Sequence, residues 1–175
     1  LNSDELNSFF KFKFNNFQID NIKLSAKNSF SFKLNNKYRI DNLKIFSDME
    51  IENLSVLLED QKKLKEVFPK IKKKFNFLDL LKKIEYSKKQ LSINGNGKIL
   101  LQDKKDKINY SLTKKKDILK FDTSLEIGEN PMIFEFLNFY KDESSELRIK
   151  MNGVHELNKS TEISSLNINE KKKYI

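Results

Sequence analysis

Three copies of one eight-residue pattern crowd the first third of the chain. They are Phe17-Gln-Ile-Asp-Asn-Ile-Lys-Leu24, Tyr38-Arg-Ile-Asp-Asn-Leu-Lys-Ile45 and Met49-Glu-Ile-Glu-Asn-Leu-Ser-Val56. A looser copy, Thr161-Glu-Ile-Ser-Ser-Leu-Asn-Ile168, sits near the end. Apolar residues alternate with polar ones, a polar pair follows, and the alternation resumes one step out of phase. Period-two alternation marks a half-buried strand. A slip of one residue normally turns apolar side chains to the wrong face. A β-bulge at the polar pair absorbs the extra residue and keeps Ile19, Ile22 and Leu24 on one face. Asp and Asn tolerate left-handed backbone, and with Ser they bond locally to the main chain. Each copy therefore reads as a bent strand with one apolar face. A short hairpin at the Asp-Asn pair is the alternative, but two residues on each side make too short a ladder.

Further alternating runs surround these copies. Phe10, Phe12 and Phe14 alternate with lysines. Asn28 reads as a turn, followed by Phe30, Phe32 and Leu34, and Asn35-Asn36-Lys37 as a hairpin turn. The short spacings imply consecutive antiparallel strands in a meander. Strands resume at Ile84-Glu-Tyr86. Leu91, Ile93, Gly95, Gly97, Ile99 and Leu101 share one parity, which favours a single long strand over a hairpin at the Asn-Gly pairs. Glycine there lets another group approach the backbone closely. Asp103–Asp106 reads as a turn, Ile108–Leu112 and Leu119–Ile127 as strands, and Gly128–Pro131 as a turn. Pro131–Tyr140 fits a short helix or a strand, and the strand is preferred. Leu147, Ile149 and Met151 form another strand that Gly153 ends, and the fourth copy is the last. Lys171–Lys173 reads as a solvated continuation.

One stretch has another period. Leu64, Val67, Phe68, Ile71 and Phe75 recur at steps of three and four, the spacing of one helix face, with lysines over much of the rest. An amphipathic helix is expected around 61–75, kinked or divided at Pro69. It packs on a sheet, or lies on an anionic membrane surface.

The chain of 175 residues is long enough for one domain with a core, and 38% hydrophobic against 34% charged residues place it among globular chains. It reads as a single β-rich segment over 1–175, a piece of a longer repetitive chain, since it begins at Leu1 and stops straight after a basic run. The net charge of +9 admits anionic partners. The lysines are scattered and alternate with apolar residues, so they read as the solvated face of strands. Codon bias toward A and T also favours Lys, Asn, Ile and Phe together. There is no cysteine, hence no disulfide framework. No run approaches the roughly 20 apolar residues of a membrane span.

Catalytic chemistry finds little footing. The single histidine, His155, reads as an exposed residue in a polar turn after Gly153. Carboxylates are dispersed, and pairs such as Glu59-Asp60 and Glu143 with Glu146 sit at turns. No metal set or cofactor motif is visible, and Gly95-Asn-Gly97 lacks the spacing of a phosphate loop. An enzyme is not expected. Base stacking needs exposed aromatics beside lysines, but here the phenylalanines share the parity of Ile and Leu, so a nucleic-acid partner is disfavoured.

The repeated motif and meander, with Leu91-Ser-Ile-Asn-Gly-Asn-Gly-Lys-Ile-Leu-Leu101 and the stretch Met132–Ile149, resemble the central β-rich region of the AsmA-like family of bacterial envelope proteins. The family often has Gly after the lysine where Asp142 and Glu143 follow Lys141. The resemblance implies a long curved β-groove crossing the periplasm, anchored in the inner membrane through flanking regions, and carrying phospholipid between inner and outer membrane. Its partners would be phospholipid acyl chains, with no cofactor and no chemistry.

The expected architecture is mostly β: an antiparallel meander forming a curved, elongated sheet with one amphipathic helix. Its concave face is expected to be lined by Phe10, Phe12, Phe14, Ile22, Leu24, Phe30, Phe32, Leu43, Ile45, Ile99, Phe121 and Leu125. The rival expectations are a structural or adhesive β-sandwich with a closed dry core, and a basic nucleic-acid-binding module.

Overall fold

The alternating segments fold as antiparallel strands laid down largely in chain order. The computed structural model describes residues 17–58, 62–157 and 159–172. The elements are β1 (Phe17–Leu34), β2 (Ile40–Leu58), helix α1 (Lys62–Val67), β3 (Lys74–Ser87), β4 (Gln90–Leu100), β5 (Asp106–Lys115) and β6 (Ile118–Ile127). Then come β7 (Met132–Phe134), a 3-10 turn (Glu135–Leu137), β8 (Phe139–Lys141), β9 (Ser145–Glu156) and β10 (Thr161–Lys172). Eight strands make one antiparallel sheet in the order β1-β2-β3-β4-β5-β6-β9-β10, and β7 and β8 pair as a separate hairpin. The sheet does not close, because β1 and β10 stand at opposite edges.

The motif copies carry the expected bulges. Ile19 pairs with Val56 and Asn21 with Ser55, so Asp20 is the extra residue of the first copy. Lys23 pairs with Asn53 and Leu24 with Ile51, which leaves Glu52 extra in the third. Ser31 and Lys33 face Lys44 and Asp41, which places the second copy's bulge at Asn42, whose φ is 51°. Ser164 is skipped in the fourth, between Ile163 and Ser165. Another bulge lies at Asp79, φ 51°, between Leu78 and Leu81. Copies two and three share β2, because only Phe46, Ser47 and Asp48 separate them and no turn fits there.

Several expectations are corrected. Asn28 opens no turn, since β1 runs unbroken through it. The helix covers Lys62–Val67 and not 61–75. Proline at 69 has no amide hydrogen and disfavours helical backbone at Phe68, so the helix stops at Val67 and its apolar spacing continues into other structure. Phe75 already belongs to β3, which starts ten residues before Ile84. Asp106 opens β5 and does not end a turn. The stretch Pro131–Tyr140 is two three-residue strands around the 3-10 turn, closed by Asn138 in left-handed backbone. Gly153 lies inside β9 and does not end it. Lys171 and Lys172 are still paired in β10, opposite Glu146 and Ser145. Phe10, Phe12 and Phe14 lie outside the described residues.

The two excursions from the meander meet at one end of the sheet. One cluster joins Val56, Leu58, Ile71, Phe75, Ile99 and Leu101 to Leu64 and Phe68 of the α1 connection. The other joins Ile127, Met132 and Leu147 to Phe134 and Phe139 of the β7–β8 hairpin, with Val67 and Phe68 at its border. Each large side chain buried there contributes about 1.5–3 kcal/mol. At six residues α1 is only about 9 Å long, so it caps an end and covers no more of the sheet.

Buried polar groups tie this plug together. Gln102 is fully buried; its Oε1 accepts from the Lys70 amide at 3.0 Å and its Nε2 donates to the Pro131 carbonyl at 2.9 Å. One side chain thus holds both excursions. Asn130 donates to Asp106 and to the Lys104 carbonyl, each at 2.7 Å, and the Gly128 amide donates to Asp106 at 3.0 Å. The buried Lys141 ammonium donates to the carbonyls of Gly128, Asn130 and Asp142. Burial raises the Asp106 carboxyl above its usual range, opposed by the Asn130 and Gly128 hydrogen bonds and the Lys141 charge.

Candidate functional site

Register decides which side chains share a face, because directly paired residues point the same way. One row runs Leu24, Ile51, Leu80, Gly97, Ile108, Leu125, Ile149, Ile168. The next runs Ala26, Met49, Lys82, Gly95, Tyr110, Thr123, Met151, Leu166, and the one beyond it Asn28, Ser47, Ile84, Ile93, Leu112, Phe121, Gly153, Ile163. The plug sits at one end of this apolar face. Beyond it no second layer lies over the face among the described residues: Ile51 and Leu80 are buried, Met49, Ile84, Ile93, Leu112 and Phe121 are half-buried, and Ile163 and Leu166 of the edge strand β10 are exposed. The opposite face carries Lys23, Lys83, Lys98, Lys107, Lys120 and Lys150, all exposed, as expected of lysines on a solvated side.

Of the residues expected to line the lipid face, Ile22 shares a row with Leu54, Phe77 and Ile99, and Phe30 shares one with Ile45 and Tyr86. Leu24 and Leu125 fall in the row through Ile108, and Phe121 in the row through Leu112. Ile99 is buried under the plug. Phe32 and Leu43 lie on the β1–β2 ribbon beyond the last β2–β3 pair, Lys44 with Ser87. None of these residues borders a hollow of about 860 Å³ on this sheet. Its lining runs along two rows of the polar face, one from Ser25 through Glu50 and Asn96 to Ser124, the other from Lys27 through Asp48 and Asn94 to Asp122, and along the row between them at Ala26, Met49, Lys82, Gly95 and Tyr110. Both signs of charge stand in its walls.

The sheet glycines face bulges and rings. A Cβ on Gly97 would stand 2.9 Å from the Leu80 Cα, beside the Asp79 bulge, and one on Gly153 would stand 2.2 Å from the Glu162 carbonyl, beside the Ser164 bulge. Such contacts leave no room for a side chain. Gly95 leaves space for the Tyr110 ring, whose hydroxyl would lie 2.5 Å from a Cβ there.

Several polar side chains lie in the rows of the apolar face, Asn28, Ser47, Lys82, Tyr110 and Thr123 among them, and burial perturbs two of these, Lys82 and Tyr110. The Asp79 bulge shifts the phase of β3, so Leu81 turns to the polar side, 52% exposed, and Lys82 turns in among Met49, Leu80, Ile84 and Gly95. Lys82 has no ion pair with a described residue, and burial pushes its ammonium below the ordinary lysine value. The Tyr110 hydroxyl is buried without a hydrogen-bond partner, and burial pushes it up to about 12. Sequence reading missed both. The signal for Lys82 is the phase break at Leu78-Asp79-Leu80, a polar residue inside an apolar run.

His155 is not in a turn: it is half-buried in β9, and its Nδ1 lies 2.9 Å from Thr161 Oγ1 on β10. Glu143 pairs with Lys70 at 2.6 Å at the plug's surface, Glu146 lies in β9, and Glu59 and Asp60 fall outside the described residues. Among the described residues no group of three or more His, Cys, Asp or Glu side chains stands ready to hold a metal, and no helix is long and apolar enough to cross a membrane. Searches against protein-family models, curated proteins and solved structures find no match for this chain.

Proposed function

We propose that this chain is a segment of a lipid-carrying protein of the bacterial envelope, whose apolar sheet face holds phospholipid acyl chains. The observation that carries the proposal is one-sidedness. An eight-stranded sheet sets rows rich in Ile, Leu, Met and Phe on one face, with Phe46, Leu81 and Ile118 among the exceptions, and among the described residues the plug covers that face at one end. Each apolar side chain left in water forgoes about 1.5–3 kcal/mol of burial, so a face of this size favours an apolar cover. Acyl chains supply that cover without specific contacts. The resemblance to the AsmA-like family points the same way. A closed sandwich would need a second sheet over the face, and the described residues hold only the β7–β8 hairpin beside the main sheet.

The test is organic extraction of protein purified without detergent, followed by lipid mass spectrometry. Phospholipid in amounts comparable to the protein is the expected result. A lipid-free extract from folded protein would overturn the proposal.

A further inference from the structure

The β1–β2 hairpin outruns the sheet. Its last pair with β3 is Lys44 with Ser87, whereas β1 and β2 continue to pair as far as Leu34 with Ile40. Residues 32–43 therefore form a two-stranded ribbon with no third strand. Its large apolar side chains are bare: Phe32 is 53% exposed, Leu34 56%, Ile40 62% and Tyr38, at the turn, 86%. Leu34 and Ile40 are directly paired, and Phe32 continues the alternation of Phe30, so these side chains share the face that is apolar in the sheet.

The turn is built to hold its shape. Asn35 Oδ1 accepts from the Lys37 amide at 2.9 Å and the Arg39 amide at 3.1 Å, and the Asn35 carbonyl accepts from the Tyr38 amide at 2.9 Å. Lys33 and Lys44 lie on the ribbon's other face, Lys33 directly opposite Asp41, and Lys37 and Arg39 stand at the turn, so the tip carries four cations against one carboxylate. All four cations are exposed, and none makes an ion pair with a described residue. A contiguous exposed apolar patch marks an interaction site. Aromatic and aliphatic side chains beside unpaired cations match the interface of an anionic bilayer, where apolar groups enter the acyl boundary and cations meet headgroup phosphates. Tyrosine is enriched at that level of a membrane.

We propose that the tip of the β1–β2 hairpin is a membrane anchor that seats in the interface of an anionic lipid bilayer. Four apolar side chains on a preorganised ribbon enter the acyl boundary. The four cations select negatively charged surfaces, and the apolar face of the ribbon runs on into that of the sheet. The anchor stands whether or not the sheet itself holds lipid.

The chain contains no tryptophan, so a single one reports cleanly. In Tyr38→Trp, emission is expected to shift to the blue on adding phosphatidylcholine vesicles that contain phosphatidylglycerol, with binding about tenfold weaker or more when phosphatidylglycerol is left out. Added salt should weaken the response. Ile118→Trp places the reporter at the β5–β6 hairpin, with the β3–β4 hairpin between it and the tip, and should show no shift. Replacing Lys33, Lys37 and Arg39 together by Gln leaves the apolar side chains in place and should abolish the preference for phosphatidylglycerol. The proposal is overturned by no shift in Tyr38→Trp, by an equal shift in both variants, or by a shift that grows with protein concentration without vesicles, which would mark docking between copies. A lipid-free extract together with a normal Tyr38→Trp response would count against acyl carriage alone.

Discussion

Lys82 and Tyr110 share one row of the apolar face, separated by Gly95, and both are perturbed by loss of water. Their effects on stability have opposite signs. A lysine whose folded value lies below its ordinary 10.5 holds fewer protons in the fold than in the unfolded chain, so stability rises with pH just below 10.5. A tyrosine raised from 10.0 to about 12 keeps its proton in the fold after the unfolded chain has lost it, so stability falls across that interval. Urea midpoints measured against pH should show the first slope flattened in Lys82→Met and the second flattened in Tyr110→Phe; unchanged slopes would contradict both placements. Tyr110→Phe should also leave neutral-pH stability unchanged or raise it by about 1 kcal/mol, because a buried hydroxyl without a partner is a cost. Neither residue stands out in the sequence, since Lys82 is one lysine of many until a bulge three residues earlier sets its face.

The bulged strands were legible because their rule is local: a polar pair inside an alternating run has one way to keep its apolar side chains together. Where two structures share a period, the sequence misleads. Leu64, Val67, Phe68, Ile71 and Phe75 fit a helix, yet the last two serve a bend and a strand that bury them in the same cluster. Core packing needs those side chains inside and is indifferent to the backbone that delivers them. Gln102 was illegible for a different reason, because its partners, Lys70 and Pro131, lie far off in sequence. Gln102→Leu keeps the bulk but strips an acceptor from one buried backbone group and a donor from the other. It should cost about 2–4 kcal/mol in chemical denaturation, against a small change for Lys70→Ala, which removes the solvent-facing ion pair with Glu143. Equal effects would contradict the role given to Gln102.

Taken whole, the described residues form a sheet with one end plugged and no second layer over its apolar face. Short spacings and alternating parity show the meander, since antiparallel neighbours need only tight turns. The β3–β4 turn places two lysines in left-handed backbone, Lys88 at φ 49° and Lys89 at 62°, where Asn-Gly is the usual signal, so that hairpin carried no turn signature. Which side of the sheet is hollow was not legible either. Curvature follows from twist and bulges summed over eight strands, and the hollow of about 860 Å³ is lined by lysine, asparagine and aspartate together with Met49, Leu81 and Tyr110. On β1 and β2 the apolar side runs from the tip back toward Leu24 and Ile51, interrupted by the pair Asn28 and Ser47. Phe121, half-buried on the apolar face, and its neighbour Asp122, exposed on the polar face, offer a paired test. Photo-crosslinking amino acids placed at 121 and at 122 in cells should yield phospholipid adducts at 121 and few at 122. Protein-only capture at 121, or equal lipid capture at both positions, would contradict the account.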